Sequence, residues 1–205
     1  GGVPSRAGIV VDQFGHNSQM AQIFALFNFP VAFAWRGTHE KEHHGHFNWR
    51  SPDGTTIPTY RFGRVGYCTF AFEVRDCHVK DKSFDADDAV EKLVGHVLKE
   101  ADRSPDVGPI LLFDGGDHIE IEPKISSVIA RANEELSERK IDMRIVHSDF
   151  DRYQQELVGE RKKIDRTIAG ELRETGREPG KQDEQWLIPG VYSSRIHLKK
   201  LLKID

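Results

Sequence analysis

The chain predicts an α/β fold built on a parallel sheet, from three observations. Residues 7–12 run Ala-Gly-Ile-Val-Val-Asp, an apolar strand that ends on the carboxylate of Asp12. Residues 18–27 then place Met20, Ile23, Phe24 and Phe27 at helical spacing, and residues 31–35 return to strand-forming types from Val31 to Trp35. Strand, helix and strand in succession form a βαβ unit, whose strands lie parallel in one sheet. Farther along, apolar runs keep alternating with amphipathic helices, the pattern of a parallel sheet covered by helices.

Each element has a local cause. Asn17 or Ser18 can cap the first helix, and Phe29-Pro30 ends it because proline cannot continue a helix. The second strand ends on Arg36-Gly37. Residues 38–46 are polar and histidine-rich, so an exposed loop is expected. Residues 47–62 read as a hairpin turning at Ser51-Pro-Asp-Gly54. Residues 85–101 form a helix with Val90, Leu93, Val94, Val97 and Leu98 on one face. Val107-Gly-Pro109 breaks the pattern, and residues 110–113 read as a buried strand running into the turn Asp114-Gly-Gly-Asp-His118. Residues 123–140 are a long helix, 143–146 a fourth strand and 149–157 a short helix. Between 159 and 186 charge is dense and glycine and proline punctuate it, so an extended loop is expected, with one short strand at 170–174. Ser193 or Ser194 then caps a last helix through Leu202. Four or five strands fall short of the eight of a complete barrel. The sheet is therefore open, or the chain is part of a larger barrel.

Composition narrows the function classes. The 205 residues are enough for one domain, 1–205, with a real core. A net charge of −4 and the lack of a basic stripe interleaved with aromatics argue against a nucleic-acid partner. No apolar run approaches the ~20 residues that cross a bilayer, so no membrane partner is expected. Gly1 to Ser5 carry neither the charged nor the apolar region of a signal peptide. Two cysteines, Cys68 and Cys77, make neither a disulfide framework nor a zinc-ligand array, so a cytoplasmic location is expected. A homo-oligomer is compatible with all of this.

The chemistry gathers at strand ends. Asp12 and the Asp114–Asp117 stretch each follow an apolar run, which places them on the same rim of a parallel sheet, where ligands bind. Asp12 is a catalytic carboxylate there, or it caps the following helix. Two carboxylates across a sugar ring are the equipment for cleaving a glycosidic bond: one protonates the leaving oxygen, the other attacks the anomeric carbon or activates water. His39, His43, His44 and His46 have spacings without helix or hairpin geometry, so a solvated loop is the expectation. His96 and His147 read as helix-surface and strand-end residues. His16 and His118 sit just past the strand-end carboxylates, within the rim. There is no Gly-x-Gly-x-x-Gly, no Walker pattern and no Gly-x-Ser-x-Gly elbow. Cys68 and Cys77 lack a nearby base and read as structural or incidental thiols.

At Asp12 the pattern becomes specific. Val10-Val-Asp-Gln-Phe-Gly-His-Asn-Ser-Gln-Met20 resembles the Asp-x-Phe-Gly-His-x-x-Gln-Met segment of glycoside hydrolase family 38, the retaining α-mannosidases. Four more segments follow in the family's order. Phe33-Ala-Trp-Arg-Gly37 resembles its strand ending in Arg-Gly. Phe47-Asn-Trp49 with Ser51-Pro-Asp53-Gly54-Thr55 resembles its Trp-x-x-x-Asp-Gly segment. Leu111-Leu-Phe-Asp-Gly-Gly-Asp-His118 resembles the Gly-x-Asp-His loop of bacterial members. Gly190-Val-Tyr-Ser-Ser-Arg195 with Lys199 resembles the segment that closes the catalytic domain.

The resemblance implies a partial or distorted (β/α)7 barrel with parallel strands, and one zinc ion in the parent enzyme. It implies that Asp12 is both nucleophile and zinc ligand, that Arg36 lies beside it, and that Asp117 lies in the substrate pocket, where it is assigned as the acid. Tyr67, Trp49, Asp53 and His118 are the remaining candidate sugar contacts, with hairpin packing the alternative for Tyr67 and Trp49. The expected partner is a mannose-containing oligosaccharide or glycoside. Two family features have no counterpart here: the His-x-Asp of the first barrel strand, and a His shortly before the Ser-Arg segment, where Glu184 to Gly190 has none. Of four expected zinc ligands only Asp12 is placed. The chain is therefore expected to need the remainder of a parent chain, and to be weakly active or inactive alone. The alternative is a non-catalytic carbohydrate-binding relative that has lost the metal site.

Overall fold

In the computed structural model, which describes residues 4–39, 43–174 and 187, the βαβ unit forms as the pattern requires. β1 (Gly8–Val10) leads into α1 (Met20–Leu26), and β2 (Ala32–Ala34) returns parallel to β1 with Val10 opposite Ala34. The chain then makes an antiparallel hairpin of β3 (His46–Arg50) and β4 (Thr56–Arg61), turning at residues 51–55. β4 inserts next to β2, parallel to it, with Ala34 opposite Arg61. β5 (Thr167–Ala169) adds beside β3, so the order is β1-β2-β4-β3-β5. Three neighbouring strands thus point the same way, and their C-terminal ends make one rim.

Both faces of the sheet are covered. On one, Ala21 and Phe24 of α1 pack on Val10, Ala32, Ala34, Phe47, Trp49 and Ile57. On the other, Tyr153 and Leu157 of a later helix pack on Val31, Phe33, Trp35, Tyr60 and Phe62. Beyond the sheet lies a helical layer. α2 (Thr69–Glu73) contributes Phe70, α3 (Ala86–Asp102) contributes Leu93 and Val94, and α4 (Ile125–Glu138) contributes Val128 and Leu136 to a third apolar cluster. Asp85 caps α3 by accepting the Asp87 and Asp88 N–H groups, and Asp149 caps α5 (Phe150–Glu160) by accepting that of Arg152.

The α/β class stands, with a mostly parallel sheet, but several elements differ from expectation. Over the described residues the sheet is open and mixed, since β3 runs against β4; no closed barrel is formed by these strands. Residues 110–113 and 143–146 are not strands. A strand needs a neighbour's backbone, and side chains serve instead: the Tyr60 hydroxyl donates to the Leu111 carbonyl, and the Asn133 amide both donates to and accepts from the Ile145 backbone. The short strand expected at 170–174 falls earlier, at β5, leaving only isolated bridges from Leu172 to His16 and from Glu174 to Gly37. The histidine-rich segment is not a solvated loop throughout: His46 is buried because β3 already begins there, and His43 is buried edge-on against Phe47. The last helix, the Ser-Arg segment and Lys199 lie outside the described residues.

Candidate active site

Sheet register builds the first half of the site. Val10 and Ala34 are paired, so the residues two positions beyond each, Asp12 and Arg36, emerge side by side on the rim. The Arg36 Nε donates to Asp12 Oδ1 at 2.5 Å. Asp12 does not cap α1; the Gln19 N–H is accepted by Asn17 instead. The Arg36 side chain is 16% exposed and that of Asp12 49%, so the pair contributes at most about 1 kcal/mol and serves chiefly to aim the carboxylate. Arg36 is held from behind by two rings, with its guanidinium carbon 4.2 Å from the Trp35 centroid and 4.6 Å from that of Phe14.

The second half comes from the segment after β4. A 3-10 turn at Gly66–Cys68 directs Tyr67 and Cys68 onto the rim, and α2 follows it directly. Gly66 sits at φ +63° under Trp35; a side chain there would place its Cβ 2.4 Å from the indole. Tyr67 packs edge-on against Trp35, with ring centroids 5.9 Å apart, and its hydroxyl donates to Asp117 Oδ2 at 3.1 Å. Partial burial, the nearby Asp12 charge and the Asp117 hydrogen bond together push the Tyr67 phenol up to about 12. Both rim carboxylates therefore act on one hydroxyl, which stays protonated and donating at neutral pH. Burial and the same two carboxylates also raise the Cys68 thiol, while a backbone hydrogen bond from Asp117 works the other way.

The structure brings together Asp12, Arg36, Tyr67 and Asp117, with His118 next in the chain, exposed and at φ 57°. It does not bring Trp49 or Asp53 to them. Trp49 is fully buried between Phe24 and His16 and gives its indole N–H to the Gly170 carbonyl at 2.9 Å, so it has no free face for a sugar. Asp53 sits in the hairpin turn that enters β4, at the opposite end of the sheet from the rim, and its carboxylate accepts the Thr55 N–H and hydroxyl. In both cases the motif types are those of a tight hairpin. His16 is buried, and burial lowers its imidazole to about 4 despite a hydrogen bond with the Arg36 backbone. Beside it a cavity of about 480 Å³ is lined by Gln13, Gly15, Asn17, Met20, Glu171 and Arg173. Among the described residues no group of three or more His, Cys, Asp or Glu side chains gathers to hold a metal. Sequence reasoning assigned no role to Cys68 or to Phe14 at the rim; Phe14 lies within the Asp-x-Phe-Gly-His segment, whereas Cys68 carries no motif signal and only the fold places it.

Residues 1–168 match the model of the glycosyl hydrolases family 38 N-terminal domain. No curated protein matches the chain. Among solved structures, an alpha-mannosidase from Enterococcus faecalis V583 is similar at 25% identity with a TM-score of 0.65; the match covers 83% of this chain and 18% of that enzyme.

Proposed function

We propose, on the premise that the chain belongs to glycosyl hydrolase family 38 through its N-terminal domain, that this rim takes part in hydrolysing terminal α-mannosides with retention. The observation that carries it is the convergence of two carboxylates on Tyr67: Asp12, aimed by Arg36, and Asp117, hydrogen-bonded by the phenol. Asp12 attacks the anomeric carbon and forms a glycosyl ester, while the protonated Asp117 gives its proton to the departing oxygen. The Asp117 carboxylate then takes a proton from water, whose oxygen displaces Asp12. Arg36 orients Asp12, and Tyr67 holds the second carboxyl in place. His118, exposed beside Asp117, is a sugar contact in this proposal.

The zinc implied by the family does not fit the described residues alone. Asp12, the ligand the family implies, is engaged by Arg36, and among the described residues no group of three or more His, Cys, Asp or Glu side chains gathers around it. The chain spans 18% of the Enterococcus enzyme's length, and we place it within a longer polypeptide whose other segments complete the site. A cytoplasmic location accords with two free cysteines. Among the described residues no helix is long and apolar enough to cross a membrane.

The test is hydrolysis of an aryl α-mannoside with added zinc. This chain alone is expected to turn over weakly or not at all. In the longer enzyme Asp12→Asn should lower turnover on the order of 10⁴-fold with little change in stability. Undiminished hydrolysis by that variant removes Asp12 as the nucleophile. Mannose binding without any turnover in the longer enzyme supports the carbohydrate-binding relative instead.

A further inference from the structure

Asp117 reaches the rim on a loop that belongs to no strand. Residues 114–120 have no sheet neighbour, yet Asp117 must be placed to within a fraction of an ångström to exchange a proton with a glycosidic oxygen. What holds the loop is Arg75, just past the end of α2. Its Nη1 donates to Asp114 Oδ1 at 2.6 Å and its Nη2 donates to the Glu120 carbonyl at 2.6 Å. The two acceptors lie at the two ends of the loop. One planar guanidinium therefore ties the ends together, and its side chain is only 7% exposed.

The crown of the loop is seated as tightly as its base. A Cβ on Gly116 would lie 2.5 Å from Ile119 and 2.9 Å from the Cys68 sulfur, so the backbone rests directly on the thiol. His118 takes a left-handed conformation, which completes the reversal. The loop's contacts at crown and base thus come from one short stretch: Tyr67 and Cys68 at the crown, Arg75 at the base.

We infer that Arg75 is a positioning residue: it clamps the ends of the 114–120 loop so that Asp117 is held against Tyr67, on the rim it shares with Asp12. The catalytic consequence rests on the acid role given to Asp117 above; the clamp itself does not. Charge-assisted bonds from a planar fork fix direction as well as distance. A lysine keeps the charge but cannot span both acceptors, so Arg75→Lys removes the clamp while preserving electrostatics.

Cys68 reports on the loop without any need for activity. In a Cys77→Ser background it is the single thiol, half-buried under Gly116. Its alkylation by iodoacetamide, followed by mass spectrometry, should speed up about tenfold in Arg75→Lys and in Asp114→Asn, with cooperative unfolding retained. The double variant should be no faster than either single one, since both remove the same contact. An unchanged Cys68 rate in the folded single variants overturns the clamp, whatever the activity.

In the longer enzyme Arg75→Lys should lower kcat toward the level of Asp117→Asn while leaving KM within about twofold. A faster Cys68 with full kcat in Arg75→Lys, where Asp117→Asn is impaired, overturns the positioning role. Full kcat in Asp117→Asn itself overturns the acid assignment under the proposed function, while the thiol result still decides the clamp.

Discussion

Two clusters of acids, hydroxyls and histidines lie on this sheet, with similar residue types and opposite environments. At the rim, Asp12, Arg36, Tyr67 and Asp117 are linked in two short pairs whose carboxylates remain partly open to solvent. Behind β3 and β4, His46 joins Ser104 Oγ at 2.6 Å through Nδ1 and the Tyr153 hydroxyl at 2.8 Å through Nε2. Nearby, the Tyr60 hydroxyl meets Glu100, which Arg103 also holds, and Arg103 donates to the Arg61 carbonyl. This second cluster contains a serine, a histidine and a carboxylate, the cast of a hydrolase. Yet His46 spends both ring nitrogens on fixed partners, and His46, Ser104 and Tyr153 are all buried. Burial, with the Arg103 charge beside it, pushes the imidazole down to about 3, so it stays neutral and structural. Residue type alone therefore does not mark a site. What separates these two clusters is access: the rim carboxylates remain partly open to solvent, whereas the His46 cluster is buried.

The sharpest way to break this contrast is at His46. His46→Ala strips partners from Ser104 and Tyr153 at once. Leaving buried hydroxyls unpaired costs roughly 1–3 kcal/mol each. The variant should lose about 3 kcal/mol in all, read as a urea midpoint lowered by about 1 M. A shift near zero would mean that the cluster is not a stability element.

The same residue sets a pH signature. His46 titrates near 3 in the fold against 6.5 as the ordinary value. Between those values the unfolded chain binds the extra proton, so stability rises with pH across the window and is lost as pH falls from about 6.5 toward 3. Urea midpoints at pH 7 and pH 4.5 should therefore differ by less in His46→Gln, which takes up no proton there, than in the natural chain. Equal slopes would remove His46 as the cause.

The smallest stability effect belongs to the rim. Tyr67→Phe deletes one hydrogen bond to a solvent-exposed carboxylate and should cost under about 1 kcal/mol. It should still lower mannoside turnover in the longer enzyme about tenfold. A stability loss as large as that of His46→Ala would erase the distinction between the two clusters.

How much of this was legible depends on the range of the cause. The βαβ unit, the hairpin and helices α1, α3, α4 and α5 follow from spacing, caps and turn chemistry within a few residues, and all were readable. So was the strand-end placement of Asp12, since the end of an apolar run is a local property; that of Asp117 was not, because residues 110–113 form no strand and a loop carries it instead. The edges of the reading lie where a partner distant in the chain decides. Residues 110–113 and 143–146 have strand composition but find side chains where a strand needs backbone. Trp49 and Asp53 carry a family motif whose physical cause here is core packing and a turn.

By itself, then, the sequence determined much of the alternation of strand and helix, and it put Asp12 just past a strand end, because periodicity and turn residues act over one or two turns of chain. Tertiary structure decided the rest. Register alone sets Arg36 beside Asp12, through Val10 opposite Ala34. A guanidinium 39 residues from its carboxylate fixes the loop that carries Asp117. Where β3 begins settled that His46 is buried, and packing against Phe70 buries His96, which the sequence placed on a helix surface. These are long-range contacts, whose closing cost and geometry are encoded in no short window of residues.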